Sequence, residues 1–229
     1  MGKQSYLVKQ FGDFKVEWKT LGEVAEIKRG TSITRKSVIH GKIPVIAGGR
    51  APAYFHNVSN RNGKTIVIAG SGAYAGFVSW WEQPIFVSDA FTVKPYSVIL
   101  PKYCYYWFQN IQQQLYELKS GGGVPHVYPR DIAPLQIPIP TLHVQAEIVR
   151  ILDKFTELTT ELTTELTARK KQYAYYRDKL LTFNEGEVEW KTLGEVAKYS
   201  KTRISFDKLD ETNYVGVDNL LQNRGGKTL

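Results

Sequence analysis

The feature that most constrains this chain is a run of 40 residues, 143–182, that contains neither glycine nor proline. Its hydrophobic residues recur at steps of three and four, which is the pattern of a coiled-coil seam. As one helix the run would measure about 60 Å, and a helix with so narrow an apolar stripe needs a partner helix to cover it. The predicted seam, and thus the predicted dimerisation surface, consists of Ile148, Ile151, Phe155, Leu158, Leu162, Leu166, Tyr173, Tyr176 and Leu180.

The middle of this run is built from a tandem tetrapeptide. Thr-Glu-Leu-Thr occurs at 156–159, 160–163 and 164–167. Each unit would add about 6 Å to a helix and turn its continuation by about 40°. The repeat therefore predicts a spacer whose length changes in fixed steps; the alternative is a low-complexity stretch with no role in setting a distance. Threonine is β-branched and only a mediocre helix former, so helix stability does not explain its frequency here.

A duplication sets the domain organisation. The ten residues Val-Glu-Trp-Lys-Thr-Leu-Gly-Glu-Val-Ala at 16–25 recur without change at 188–197. Copies this far apart are too distant for a solenoid repeat and indicate duplication of a whole domain. We therefore predict a first domain over residues 1–140, a long helix over 141–183, and the truncated start of a second domain over 184–229.

The first domain has the sequence pattern of a β-rich fold. Short β-branched and aromatic runs alternate with glycine-rich turns, which favours strands. Residues 101–118 have helical spacing, and residues 135–140 must be extended because of their prolines. The prediction is an α+β fold: a mixed or antiparallel β-rich domain with small helices, followed by the long coiled-coil-forming helix. The predicted strands are residues 43–47, 65–69, 77–81 and 85–87.

The positive charge is concentrated in the first domain. Residues 1–140 contain 16 Lys and Arg and 8 Asp and Glu, a net charge of +8, whereas residues 141–229 contain 14 of each. Between Glu26 and Glu82 there are eight basic residues and no acid. A surface of one sign attracts a polyanion and binds it in a salt-dependent way. A solvated basic face without a ligand is the alternative.

No catalytic centre or metal site is predicted. A methyltransferase would need a glycine-rich cofactor loop after a strand and an Asn/Asp-Pro-Pro-aromatic motif, and the sequence has neither. The four histidines lack metal-ligand spacing, and the single cysteine, Cys104, permits no cysteine-based zinc site and no intrachain disulfide. No apolar run is long enough for a membrane span. We therefore expect a noncatalytic cytoplasmic protein that holds no cofactor of its own.

Taken together, these features resemble the specificity (S) subunits of Type I restriction–modification systems. The resemblance is carried by the opening Trp18–Val24, by the Ile-Pro-Ile-Pro exit at 137–140, by the run from Gln145 to Asp153 and by the tandem tetrapeptides. It implies a DNA target-recognition domain followed by a spacer helix, here in a truncated half-length form. In some members of this family, repeats of this kind differ in number and change the gap between the two halves of a bipartite target.

The resemblance also implies partners. These are double-stranded DNA, modification (methyltransferase) subunits that use S-adenosylmethionine to methylate adenine, and restriction subunits that use ATP and magnesium. Because this form has one recognition domain, we expect two copies to pair through residues 143–182 on a target with inverted, identical arms. Two alternatives stay open: a freestanding dimeric DNA-binding protein such as a repressor, and a coiled-coil assembly protein whose basic face is incidental.

DNA contacts are expected from polar and basic residues in the loops of the first domain, since hydrogen bonds read base edges and charge binds phosphates. For any single residue, solvated surface is an equal alternative. The candidates are Arg29, Thr31, Ser32, Thr34, Arg35 and Lys36 in the loop after the opening motif; Arg50, Tyr54, Asn60, Arg61 and Asn62; and, beside the glycine loops, Ser71, Tyr74, His126 and Tyr128.

Overall fold

The computed structural model of the chain describes residues 15–210, 214–216 and 220. The chain divides into two units, one ending at Thr167 and the other beginning at Ala168. Of the predicted start of a second domain, residues 211–213, 217–219 and 221–229 lie outside the described residues. Within the described part, no helix is both long and apolar enough to cross a membrane.

The described part of the first unit, residues 15–167, contains three β-sheets. A two-stranded sheet pairs β1 with β9, a four-stranded sheet has the order β2-β8-β5-β6, and a three-stranded sheet has the order β4-β3-β7. All pairings are antiparallel except the parallel pair of β3 and β7. The strands are β1 (Glu17–Thr20), β2 (Ala25–Arg29), β3 (Ile43–Ile46), β4 (Tyr54–His56), β5 (Thr65–Ala69), β6 (Val78–Trp81), β7 (Phe86–Val87), β8 (Ala90–Pro95) and β9 (Gln136–Ile139).

The four-stranded sheet separates two hydrophobic cores. Along β5 the side chains of Ile66 and Ile68 join the larger core, whereas Val67 joins a smaller core with Ile85 and Val87. This follows from the alternation of side chains along a strand. Since both faces are covered, β5 is buried along its whole length, which explains its uninterrupted apolar sequence.

The repeated decapeptide forms β1 and the one-turn helix α1 (Leu21–Val24) in its first copy. The Glu23 carboxylate accepts hydrogen bonds from the Thr20 hydroxyl at 2.7 Å and from the Thr20 backbone N–H at 2.8 Å. These bonds lower the pKa of Glu23, the side-chain bond more than the backbone bond. This reciprocal cap starts the helix, and Leu21 and Val24 are thereby buried in the larger core.

The helical conformation predicted for residues 101–118 is confirmed, with one interruption that the spacing did not predict. The segment forms α2 (Pro101–Asn110) and α3 (Gln112–Glu117), separated by Ile111 at φ −100° and ψ 17°. The side chain of Gln112 accepts a hydrogen bond from the Val78 N–H at 3.0 Å and donates one to the Gly76 carbonyl at 2.8 Å. The break thus coincides with an anchor to the start of β6. A further one-turn helix, α4 (Pro129–Ile132), precedes β9.

The long helix α5 (Leu142–Leu181) is continuous over its 40 residues, which confirms the helix predicted from the sequence. Val144 in its first turn is buried, and the partly buried side chains of Ile148 and Val149 pack on the larger core. The side chain of Gln145 is fully buried; it accepts a hydrogen bond from the Leu100 N–H at 2.8 Å. It also donates bonds to the carbonyls of Pro140 and Val98 at 2.9 and 3.0 Å. Polar anchoring therefore joins the helix to the β-rich part of the first unit.

Candidate DNA interface

The end of β2 and the loop after it carry six of the predicted DNA-binding residues. Arg29 itself ends β2, and Gly30 lies so close to β7 that an added Cβ would sit 2.3 Å from the Val87 carbonyl oxygen. Only glycine therefore fits at this crossing. The next turn is held by hydrogen bonds from the Thr31 N–H to Val87 at 2.9 Å and from the Ile33 N–H to the Ser88 hydroxyl at 3.1 Å.

Beyond these anchors the loop turns outward. Thr34 precedes a single 3-10 turn, Arg35–Ser37, and its hydroxyl lies 2.7 Å from that of Ser37. Arg35 and Lys36 are exposed, and their side chains make no ion pair with any residue that the structure describes. The loop thus presents two solvated cations from a fixed backbone, which suits contact with a phosphate backbone.

A surface depression with a volume of about 570 Å³ lies beside this loop, and we call it the recognition depression. It brings together three predicted residues, Arg29, Ser32 and Tyr54, that are separated along the chain. Guanidinium, hydroxyl and carboxylate groups are the side-chain types that pair with base edges, and all three types are present. The depression is lined by Arg29, Gly30, Ser32, Ile33, Val45, Ala47, Ala53, Tyr54, Ser88 and Asp89.

Asp89 is a charged lining residue that the sequence analysis missed. Its carboxylate accepts a short hydrogen bond from the hydroxyl of Ser71, a predicted residue that is itself almost buried. Asp89 is the one acid of the sequence between Glu82 and Glu117. An isolated carboxylate two residues after the predicted strand 85–87 was the signal that could have identified it.

Two further predicted residues, His126 and Tyr128, lie next to the recognition depression, because Tyr128 contacts the lining residue Arg29. The rings of His126 and Tyr128 are stacked, with centroids 5.7 Å apart and an interplanar angle of 8°. The guanidinium carbons of Arg29 and Arg130 lie 5.8 and 4.7 Å from the centre of the Tyr128 ring. Such cation–π contacts hold the cations against a flat aromatic surface. Ser71 forms a backbone bridge to His126, which brings the two glycine loops together.

Asn60 and Arg61 were predicted as DNA contacts, but the structure gives both side chains internal partners. The Asn60 amide exchanges two hydrogen bonds with the Val87 backbone, at 2.7 and 2.8 Å. The Arg61 guanidinium donates to the Thr92 hydroxyl at 3.2 Å and to the carbonyls of Asn60 and Arg29 at 2.8 and 2.9 Å. These groups hold strands together, and neither residue lines the recognition depression.

The remaining predicted residues lie elsewhere on the first unit. The Arg50 guanidinium carbon is 4.8 Å from the centre of the exposed Tyr74 ring and 5.4 Å from that of Phe77. Asn62 is exposed and accepts a hydrogen bond from the Ser59 hydroxyl at 2.9 Å. Neither Arg50 nor Asn62 lines the recognition depression.

The residues described contain no group of three or more His, Cys, Asp or Glu side chains that could hold a metal ion. Cys104, the single cysteine, is completely buried in α2, and burial raises the pKa of its thiol. A thiol that stays protonated is a poor nucleophile and a poor metal ligand. Cys104 therefore acts as a small core residue.

The predicted seam of α5 falls into two parts. Ile148 packs on the larger core, so part of its surface is occupied within the first unit. From Phe155 onward the seam is open to solvent: Phe155 is 64% exposed, Leu162 58%, Tyr173 68% and Leu180 68%. Large apolar side chains in such a row are a feature of interfaces. Leu158, Leu166 and Tyr176 are exposed as well.

Comparison with known proteins decides the family. A model of the Type I restriction modification DNA specificity domain matches residues 15–170, which spans the β-rich globule and most of α5. The chain belongs to the type I specificity family. Specificity subunits are noncatalytic, in agreement with the sequence-based prediction, and the mixed antiparallel sheets with a long helix agree with the fold of solved specificity subunits.

Individual specificity subunits show how much of the family architecture the chain covers. It is 35% identical to the Type I restriction enzyme EcoR124I/EcoR124II specificity subunit of Escherichia coli, over 90% of this chain and 56% of that protein. It is 31% identical to the Escherichia coli EcoprrI specificity subunit, over 86% and 58%. The structure of the S subunit from M. genitalium superposes with a TM-score of 0.64 at 21% identity, covering 78% of this chain and 49% of that one. The chain thus spans about half the length of these relatives.

Proposed function

We propose that this chain recognises a DNA sequence on behalf of a type I restriction–modification complex and carries out no chemistry itself. The observation that carries the proposal is the family match over residues 15–170. The recognition depression supports it, because Arg29 can donate to guanine and Asp89 can accept from cytosine in the major groove. Arg35 and Lys36 lie on the adjacent loop, where they would contact phosphates.

The proposed partners follow from this role. Duplex DNA is the ligand, and the chain recruits modification subunits and, through them, restriction subunits. S-Adenosylmethionine, ATP and magnesium would be used on those subunits, where adenine is methylated and DNA is cleaved. In this assignment the chain contributes only the recognition of the DNA sequence and the spacing between the two recognition domains.

The proposed active form is a homodimer. The exposed apolar seam from Phe155 to Leu180 supports this, since an isolated helix cannot bury such a stripe. A twofold dimer would place one recognition domain on each arm of a bipartite target, and the arms would be identical and inverted. The three Thr-Glu-Leu-Thr units would set the gap between them, because each adds about 6 Å of helix.

The test is co-expression of the chain with a modification subunit, followed by affinity purification and genome-wide mapping of methylated adenines. The control strain expresses the modification subunit alone. We expect co-purification and a methylated motif with two inverted, matching arms that is absent from the control. Duplex binding without co-purification would instead favour a freestanding DNA-binding protein. Lack of duplex binding with and without the modification subunit would favour an assembly protein, and a one-armed motif would contradict only the dimer.

A further inference from the structure

A second surface depression, with a volume of about 250 Å³, lies on the face of the four-stranded sheet that carries the smaller core, and we call it the lysine depression. Along β2 and β8 the side chains of Ile27 and Val93 join the larger core. Their neighbours Lys28 and Lys94 therefore point to the opposite face, as strand alternation requires. The full lining is Glu26, Lys28, Asn60, Arg61, Asn62, Lys64, Thr65, Thr92, Val93 and Lys94.

The charge of this surface is unbalanced. Lys28, Lys64 and Lys94 are exposed and make no ion pair with any residue of the described ranges. Glu26 is the one carboxylate of the lining; it lies directly opposite Lys94 in the strand register, yet no ion pair joins the two. Three uncompensated ammonium groups on one concave surface attract an anion.

The internal hydrogen bonds of Arg61 make this surface rigid. Its guanidinium joins the loop after β4 to the Thr92 hydroxyl on β8 and to the Arg29 carbonyl at the end of β2. The same residue therefore lies between the two depressions, since Arg29 lines the recognition depression and Lys28 lines the lysine depression. A ligand that follows both surfaces would pass Arg61.

The two depressions differ in chemistry. The lysine depression has no aromatic ring and no exposed guanidinium fork, so it lacks the rings that stack on bases and the planar fork that fixes a bidentate contact. Lysine ammonium groups bind phosphates as point charges. We infer that the lysine depression binds the phosphate backbone of DNA while the recognition depression reads bases. This assignment rests on the proposed function and identifies residues that the sequence analysis did not propose.

The experiment compares the triple variant Lys28→Gln/Lys64→Gln/Lys94→Gln with the wild-type chain, each assembled with modification subunits. Binding to a duplex carrying the methylated motif and to a scrambled duplex is measured by fluorescence anisotropy over a series of salt concentrations. The matched control, Lys198→Gln/Lys201→Gln/Arg203→Gln, removes the same charge from exposed residues of the second unit. Thermal unfolding verifies that each variant is folded.

We expect the triple variant to weaken binding to both duplexes by the same factor. The slope of log Kd against log salt should fall by about 2 to 3, because each lost phosphate contact removes about 0.9. The single variants should each lower the slope by about 0.9, and the control variant should leave it unchanged. The methylated motif should be the same for the triple variant and the wild-type chain.

Three results would overturn the assignment. A wild-type slope in the triple variant would show that these lysines contact no phosphate, and a loss confined to the motif duplex would show that they read bases. Loss of assembly with the modification subunits would make the surface a protein contact. If the wild-type complex binds neither duplex, both the proposed function and this site are wrong. If the wild-type complex binds and the triple variant keeps its salt slope, only the phosphate site is wrong.

Discussion

The two copies of the decapeptide place the same leucine in opposite environments. Leu21 is completely buried in the larger core, whereas Leu193 is 79% exposed. We expect Leu21→Ala to lower the free energy of unfolding by about 2–5 kcal/mol, because it leaves a cavity. Leu193→Ala should change it by less than about 0.5 kcal/mol. Urea denaturation followed by tryptophan fluorescence compares the two, and equal effects would contradict the burial of the first copy.

Arg35 and Arg61 were predicted together as DNA contacts, and the structure separates their expected effects. Arg35→Ala should weaken binding of the assembled complex to motif and scrambled duplexes alike and lower the salt slope by about 1, because Arg35 would contact a phosphate, with the unfolding temperature unchanged. Arg61→Ala should also lower the free energy of unfolding by about 1–3 kcal/mol, because three internal hydrogen bonds are lost. Fluorescence anisotropy measures DNA binding by the two variants, and thermal denaturation measures their stability. Unaltered binding and an unaltered salt slope in Arg35→Ala would show that Arg35 contacts no phosphate.

The start of α5 depends on one buried amide. Replacing Gln145 with leucine should lower the free energy of unfolding by about 2–4 kcal/mol, because the Leu100 N–H and the carbonyls of Val98 and Pro140 lose their partner. The matched control is Gln113→Leu on α3, where the side chain is exposed and the expected change is below about 0.5 kcal/mol. Chemical denaturation provides both values, and a neutral Gln145→Leu would mean that apolar contacts alone hold the junction.

The tetrapeptide threonines show how a helix accommodates a residue type with modest helix propensity. The hydroxyl of each donates to the carbonyl four residues earlier, at distances from 2.7 to 2.9 Å. The polar group is thus satisfied locally and the methyl group remains for packing. At Thr159 and Thr163, one turn before Leu162 and Leu166, this broadens the apolar surface beside those leucines. It also explains how so many threonines are compatible with one continuous helix.

At the scale of the whole molecule, the proposed homodimer is tested by measuring the oligomeric state. Leu162→Glu should raise the dimer dissociation constant by about tenfold or more, since a charge would be buried in the helix pair. Thr164→Glu is the control, because residue 164 lies about 200° further around the helix. Leu162 is 58% exposed in the single chain, so its replacement should not unfold the protomer. Sedimentation equilibrium measures both variants, and a monomeric wild-type chain at micromolar concentration would exclude the dimer.

Local sequence was sufficient for several elements, and the second decapeptide shows why. Thr192 and Glu195 form the same cap as Thr20 and Glu23, with bonds of 2.6 and 2.9 Å, and the one-turn helix α6 (Leu193–Val196) follows. Such hydrogen bonds join residues three apart, so they need no tertiary partner. The long helix, β5 and the extended 135–140 segment were predicted on the same basis, from periodicity and from the fixed φ of proline.

What tertiary structure alone decided is which partner each side chain meets. The first decapeptide forms β1 because β9 pairs with it, and its Leu21 and Val24 are buried, whereas the second copy forms no strand and its Leu193 is 79% exposed. β8, the strand beside β2, was missed because its Lys94-Pro95 end obscures the apolar pattern. Asn60 and Arg61 have the composition of a DNA contact, yet their partners lie as far as 32 residues away. Pattern and capping are local properties, but burial and hydrogen-bond partners depend on residues distant in the chain.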